Sequence, residues 1–182
     1  MEQSTLKRRN ELGKYFNDLG FKVGAEIGVA AGAFSEVLCQ SIPGLKLYCI
    51  DSWCRYEGNP RGGSADRHIR NYETTKERLK DYNAILLKIK SMEAVKFVQE
   101  PLDFVFIDGN HNYEYVKEDI EEWSKKVRPG GIVALHDYYH FKDSGVVEAV
   151  NEYTFNNRIE FYLIGEMKKR LERKLPVVYW FV

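Results

Sequence analysis

A chain of 182 residues is sized for one domain spanning 1–182, and it is long enough to bury a core without disulfides or a structural metal. Its 27 lysines and arginines balance 27 aspartates and glutamates, which argues against nucleic acid as a partner, since such binding runs on phosphate neutralisation. The three cysteines, Cys39, Cys49 and Cys54, form no repeated framework, and no run reaches the ~18 apolar residues of a membrane span. A reduced, cytoplasmic protein without a membrane partner is expected.

Ser4 can cap a helix running to about Leu19, where Leu12, Tyr15, Phe16 and Leu19 recur at helical spacing and Gly20 ends the run. Its charges, Lys7, Arg8, Arg9 and Glu11, read as a solvated face. The next stretch, KVGAEIGVAAGAFSEVLCQ, reads as a strand through Glu26 and Ile27, a glycine turn, and a helix from about Ala33 to Gln40. Gly28 and Gly32 give the pattern E-x-G-x-x-x-G, in which backbone can approach a ligand closely. Leu45 to Ile50 forms a second strand that ends at Asp51, about 20 residues beyond the turn, where an acid can accept both ribose hydroxyls of an adenosine. Alone, this pattern is equally that of a tight turn followed by a soluble strand end.

Residues Cys54 to Asn71 are rich in Gly, Arg, Asn, Pro and Ser and read as a long loop positioned to cover a ligand. Arg61, Arg67 and His68 lie within it, with reach to a substrate but with solvent as their expected environment. A helix over Tyr72 to Asp81, a strand over Ala84 to Lys90 and a helix capped by Ser91 follow.

The densest block runs from Leu102 to Asp137. The apolar run Phe104 to Ile107 has the character of a buried parallel strand and stops at Asp108; a second run, Ile132 to Leu135, stops at His136 and Asp137. Between them, Tyr113, Val116, Ile120, Trp123 and Val127 step by three and four as the core face of a helix, and Arg128 to Gly131 turns the chain back. Beyond Asp137 come an aromatic turn, with Tyr138 and Tyr139 as packing residues and His140 exposed, and a helix carrying Val146, Val150 and Tyr153. Two apolar runs, Ile159 to Ile164 and Pro176 to Val182, close the chain around a basic connector. Strands alternating with helices, then two strands without a helical crossover, predict an α/β sandwich of Rossmann type whose mostly parallel sheet ends in an antiparallel hairpin.

The strand ends together carry Glu26, Asp51, Ser91, Asp108, His111, His136 and Asp137, an acidic edge that suits a cationic ligand bearing adenosine. A nicotinamide-dependent oxidoreductase is the competing reading, but it prefers G-x-G-x-x-G, which this turn lacks. A non-catalytic nucleoside-binding module is a third. The combination of AEIGVAAGAFS, LYCIDSW, FIDGNHNYE and RPGGIVALHDY resembles the class I S-adenosylmethionine-dependent methyltransferases, and most closely the branch with the macrocin and mycinamicin O-methyltransferases and the cephalosporin-hydroxylase-like proteins.

That resemblance implies seven strands, S-adenosylmethionine as cofactor and a small-molecule hydroxyl, on a sugar or secondary metabolite, as acceptor. It implies cofactor contacts at Glu26, Gly28, Gly32, Asp51, Trp53, Ser91, Met92 and Asp108, catalytic roles for His111 as base and Asp108, and metal-binding acids at Asp108 and Asp137. His136 stands where metal-using relatives carry an acid, and imidazole suits zinc, iron, nickel or copper better than magnesium. A divalent metal at Asp108, His136 and Asp137 and a metal-free site both stay open, as does assembly into a homo-oligomer.

Overall fold

The computed structural model describes residues 1–55, 63–140, 144–165 and 176–182. Fourteen elements follow in chain order: β1 (Glu2–Gln3), α1 (Glu11–Asp18), β2 (Val23–Ile27), α2 (Ala33–Ser41), β3 (Lys46–Ile50), α3 (Ala65–Leu79), β4 (Ala84–Leu87), α4 (Ser91–Ala94), β5 (Leu102–Ile107), α5 (Tyr113–Ser124), β6 (Val127–Leu135), α6 (Val146–Asn156), β7 (Tyr162–Ile164) and β8 (Val177–Phe181). The strands form one sheet in the order β1-β7-β8-β6-β5-β2-β3-β4. All pairings are parallel except β6 with β8 and β7 with β8, so the antiparallel hairpin sits where the sequence predicts it. Among the described residues no helix is long and apolar enough to cross a membrane.

The sheet is buried on both faces, and the alternation along each strand sorts its side chains between two helical layers. Ala25, Ile27, Val105, Ile107, Val133 and Leu135 pack with Val116, Ile120 and Trp123 of α5 and Val146 and Val150 of α6. Phe104, Phe106, Leu47, Cys49, Ile132 and Ala134 face the other way, toward Leu12 and Phe16 of α1 and Phe34 and Leu38 of α2. Phe104 stacks on Phe16 at 4.5 Å between ring centroids, and its ring fills the space that a side chain at Gly24 would need.

Four elements differ from the sequence expectation. An eighth strand exists: β1 pairs with β7 through only two residues, too short for any periodicity to register. Ser4 is therefore not a helix cap; it is buried, its hydroxyl hydrogen-bonded to Tyr179 at 3.2 Å, and α1 begins at Glu11. The expected long loop is shortened from its far side, because α3 begins at Ala65 with Ser64 as its cap, accepting from the Arg67 N–H at 3.3 Å. Only Thr75 and Leu79 of α3 are buried, so its first turns carry no apolar stripe to betray them. Finally, Val127 belongs to β6 rather than α5, and Arg128 to Gly131 bulge out of β6, so that Val127 pairs with Leu102 and Ile132 with Phe104. Asp103 holds that bulge to the start of β2, accepting from the N–H groups of Lys22 and Val23 at 2.6 and 2.8 Å and from Arg128 Nε at 2.7 Å. Arg61 and most of the basic connector lie outside the described residues.

Several polar residues are buried, and Glu26 is the least exposed acid among the described residues. Glu26 on β2 is 2% exposed and accepts a hydrogen bond from the Ser35 hydroxyl of α2. Burial pushes its carboxyl up to about 8, more than the Ser35 bond pulls it down. An acid whose folded-state value is raised binds its proton more tightly when folded, so its contribution to stability falls as pH rises from about 4.5 to about 8. Glu26→Gln keeps an acceptor for Ser35 and removes the titration. In urea denaturation the variant should be more stable than the native chain at pH 8, by on the order of 3 kcal/mol, with the gap closing toward pH 4.5.

Candidate active site

The sheet reverses its direction of growth at β2, which pairs with β3 on one side and with β5 on the other. In open α/β sheets the cleft at the C-terminal ends of such strands is where ligands bind. Gly28 ends β2 with φ +89°, and a Cβ there would lie 2.1 Å from the Asp108 carbonyl oxygen at the end of β5. Only glycine lets these two strand ends close together. Three non-glycine residues at this edge also hold left-handed backbone, Ala30 at φ +50°, Trp53 at +40° and Asp137 at +60°. Such strain, costing ~1–3 kcal/mol each, collects at binding and catalytic sites.

A cavity of about 470 Å³ opens here, within the range of small-molecule sites. Gly28, Asp51, Trp53, Ser91, Met92, Asp108 and His111 of the predicted residues line it, and α3 adds Arg67, His68 and Asn71. The two α3 side chains expected at solvent thus border the cavity, though Arg67 stays exposed. Glu26 and Gly32 stand behind it. Gly32 opens α2 at φ +74°, close against Thr75 of α3, which with Arg78 pins the turn: Thr75 Oγ1 donates to the Ala30 carbonyl at 3.0 Å and Arg78 Nη1 to that of Ala31 at 2.7 Å.

Asp51 is fixed by the same turn. Its Oδ2 accepts from the Ala30 N–H at 2.9 Å and its Oδ1 from the Trp53 N–H at 2.7 Å. Burial raises its pKa against these two bonds. Each oxygen retains a lone pair, enough to receive a pair of vicinal hydroxyls. Trp53 is locked in turn by an indole N–H donated to the Ala30 carbonyl at 2.7 Å and by the Tyr72 ring at 4.9 Å.

At the other end, Asp108, His111, His136 and Asp137 converge. His111 Nε2 lies 2.9 Å from Asp137 Oδ2 and 3.8 Å from Asp108 Oδ1. His136 Nδ1 lies 2.9 Å from Asp137 Oδ1 and 3.3 Å from Asp108 Oδ1. The bond to Asp137 raises the pKa of His111 more than its burial lowers it. Burial also opposes charge on His136, but the two carboxylates outweigh it and lift that imidazole to about 9. Burial would raise Asp137, yet the two imidazoles hold it well below the usual carboxylate range. One donor atom each from Asp108, His111 and Asp137 falls within a 4.8 Å sphere of mutual distances, as a cation site requires.

Sequence reasoning missed two participants. Ser91 does not cap α4, whose cap position is Lys90; its hydroxyl donates to Asp119 of α5 and accepts from the Trp123 indole N–H at 2.7 Å. Asp119 borders the cavity, and burial raises its carboxyl to about 7. An acid inside the stripe of Val116, Ile120 and Trp123 was the available signal. The other is Arg9, whose Nη1 meets Asp108 Oδ2 at 3.2 Å across 99 residues of sequence, with no local pattern to announce it.

The family described as "Methyltransferase domain" matches residues 25–138, more than half of the chain. A curated relative, the uncharacterized protein y4gI of Sinorhizobium fredii (strain NBRC 101917 / NGR234), is 24% identical over 119 residues, covering 64% of this chain but only 12% of that protein. Among solved structures, an rRNA methylase from Streptococcus thermophilus aligns with a TM-score of 0.69 at 18% identity, covering 98% of both chains. The O-methyltransferase from Bacillus cereus in complex with SAH gives 0.66 at 13% identity, covering 98% of this chain and 84% of that one. TomG, an O-methyltransferase from Streptomyces achromogenes involved in tomaymycin synthesis and solved with SAM, gives 0.65 at 16%, covering 94% and 79%. At these identities the structural likeness is one of fold, and it agrees with the sheet order and hairpin described above. With the family match spanning the glycine turn, Asp51, Asp108 and Asp137, the chain belongs to the methyltransferase-domain family.

Proposed function

We propose that this methyltransferase domain moves the methyl group of S-adenosylmethionine onto a hydroxyl of a small molecule, of sugar or secondary-metabolite type. The observation that carries the reading is one cavity bordered at one end by Asp51 and at the other by His111, whose imidazole is held 2.9 Å from Asp137. The residues fit the cofactor: the turn at Gly28 and Ala30 lines the cavity, Asp51 offers acceptors for the ribose, and the acids beyond it suit a cation. When bound, S-adenosylmethionine supplies an electrophilic methyl on a sulfonium that leaves as a neutral thioether. His111 receives the proton of the attacking hydroxyl while its Asp137 partner stabilises the resulting imidazolium. His136, with its value near 9, stays charged at neutral pH and contributes positive potential rather than base catalysis. Holding acceptor and methyl in line supplies much of the remaining rate. Balanced overall charge supports a small acceptor over a nucleic acid.

A cation at Asp108, His111 and Asp137 is the second reading, favoured by their mutual convergence. The mixed oxygen and nitrogen donors suit zinc, iron or nickel better than magnesium, and such an ion would lower the pKa of an acceptor hydroxyl. The two readings compete for His111, because a neutral imidazole that ligates through one nitrogen carries its N–H on the other and has no lone pair left for the proton.

Three measurements test these readings. Asp51→Ala should weaken SAH binding by more than ~30-fold in calorimetry with little change in melting temperature; native affinity in the variant rejects Asp51 as the ribose contact. On any hydroxylated acceptor that turns over, His111→Ala should lower kcat by roughly 10²–10⁴. Because the base form of His111 must be neutral and its pKa is raised, native kcat should climb with pH through a midpoint above 6.5, and Asp137→Asn should move that midpoint down. For the cation, EDTA-stripped protein titrated with zinc, manganese and magnesium should give binding heat for zinc that Asp137→Asn abolishes. Absence of heat for all three, with full transfer in EDTA, removes the second reading.

A further inference from the structure

Arg9 reads in the sequence as part of a solvated face, yet in the fold it is only 32% exposed in its side chain and stands at the strand-end edge. Its guanidinium lies 4.7 Å from the centroid of the Phe34 ring, the second residue of α2, and its Nη1 lies 3.2 Å from Asp108 Oδ2. Phe34 lies two residues beyond Gly32, and Asp108 abuts Gly28, so Arg9 stands beside the glycines at both ends of the turn. It comes from outside the segment that matches the family, residues 25–138.

An arginine stacked on an aromatic ring has its plane already set, and a single carboxylate oxygen of Asp108 occupies only part of its five-donor fork. Two planar N–H donors on one side are the geometry that receives a second carboxylate. Two acids stand near it, Asp108 in contact and Glu26, whose pKa the nearby Arg9 charge lowers in part. Those acids can pair with an ammonium group. They would repel a carboxylate, and a ligand that carries both charges on one carbon therefore needs a cation beside them.

The tail of S-adenosylmethionine is such a zwitterion. With its ribose on Asp51, a tail laid along the strand ends from β3 across β2 toward β5 would reach Gly28 and Asp108, which line the cavity, and Arg9 stands next to Asp108 at 3.2 Å. We propose that Arg9 binds the α-carboxylate of the cofactor's amino-acid tail, while Asp108 turns from Arg9 to the α-ammonium. This rests on the cofactor reading above. It makes Arg9 the residue that distinguishes the intact amino-acid tail from tails that lack the carboxylate.

The test is calorimetry on the full chain with three ligands: SAH, its decarboxylated aminopropyl analogue, and 5′-methylthioadenosine, which has no amino-acid tail. A charge-assisted bond is worth about 1.5–3 kcal/mol, so Arg9→Gln should weaken SAH by roughly 10- to 100-fold. It should leave the other two ligands within about 2-fold, and Arg9→Lys should recover part of the loss. Unchanged SAH affinity in Arg9→Gln overturns the proposal, as does an equal loss for all three ligands, which would mark a structural role. If the native chain binds all three but does not prefer SAH to the decarboxylated analogue, the Arg9 proposal falls while the cofactor reading stands. If it binds none, the cofactor reading itself has failed.

Discussion

The approach of two strand ends governs everything built at this site. The chain lays β2, β3 and β4 in one direction and then returns to place β5 against the open side of β2. At that junction the Asp108 carbonyl occupies the space where any residue but glycine would carry its Cβ, 2.1 Å from it. A side chain at Gly28 would wedge the strands apart at the point where the helices diverge to the two faces. The cleft, the exposed turn backbone and the alignment of Asp51 with Asp108 on one edge all follow from that contact.

Buried carboxylates near this junction meet the desolvation penalty in two different ways. Asp137 has two imidazoles at 2.9 Å and stays ionised far below the ordinary range. Among the described residues Glu26 and Asp119 each have a serine hydroxyl as their side-chain donor, and both move toward the protonated form instead. The difference follows the layers of the fold. Glu26 points into the α1 and α2 layer among apolar residues, whereas Asp137 sits beyond the end of β6, where loop residues can reach it. The site thus holds an ion-paired carboxylate beside acids whose charge responds to what binds next to them.

Strands β3 and β5 were legible because each is a nearly continuous apolar run cut off by an acid, at Ile50-Asp51 and Ile107-Asp108. The glycine turn was legible because positive φ and close approach leave few alternatives to Gly28 and Gly32. Other features left no local trace. β1 is two residues long, α3 has a mostly solvated start, and Ser91 bonds to Asp119 across 28 residues rather than to its own helix. Arg9 shows the limit most clearly. Its sequence neighbours are charged and exposed in character, and only the packing of the N-terminal segment across the sheet edge brings it to Asp108.

That segment has a mechanical side. Gln3 is fixed in β1 at one border of the sheet, four strand spacings from β5, a lateral span of about 19 Å. Five residues lie between Gln3 and Arg9, and the chain turns at Arg8 and Arg9, whose carbonyls accept from Glu11 and Leu12, so part of the crossing is made by the arginine side chain itself. The pairing of β1 with β7 fixes the start of this crossing at the far border. A two-residue strand at the border of the sheet thereby anchors the segment that places Arg9 against Asp108.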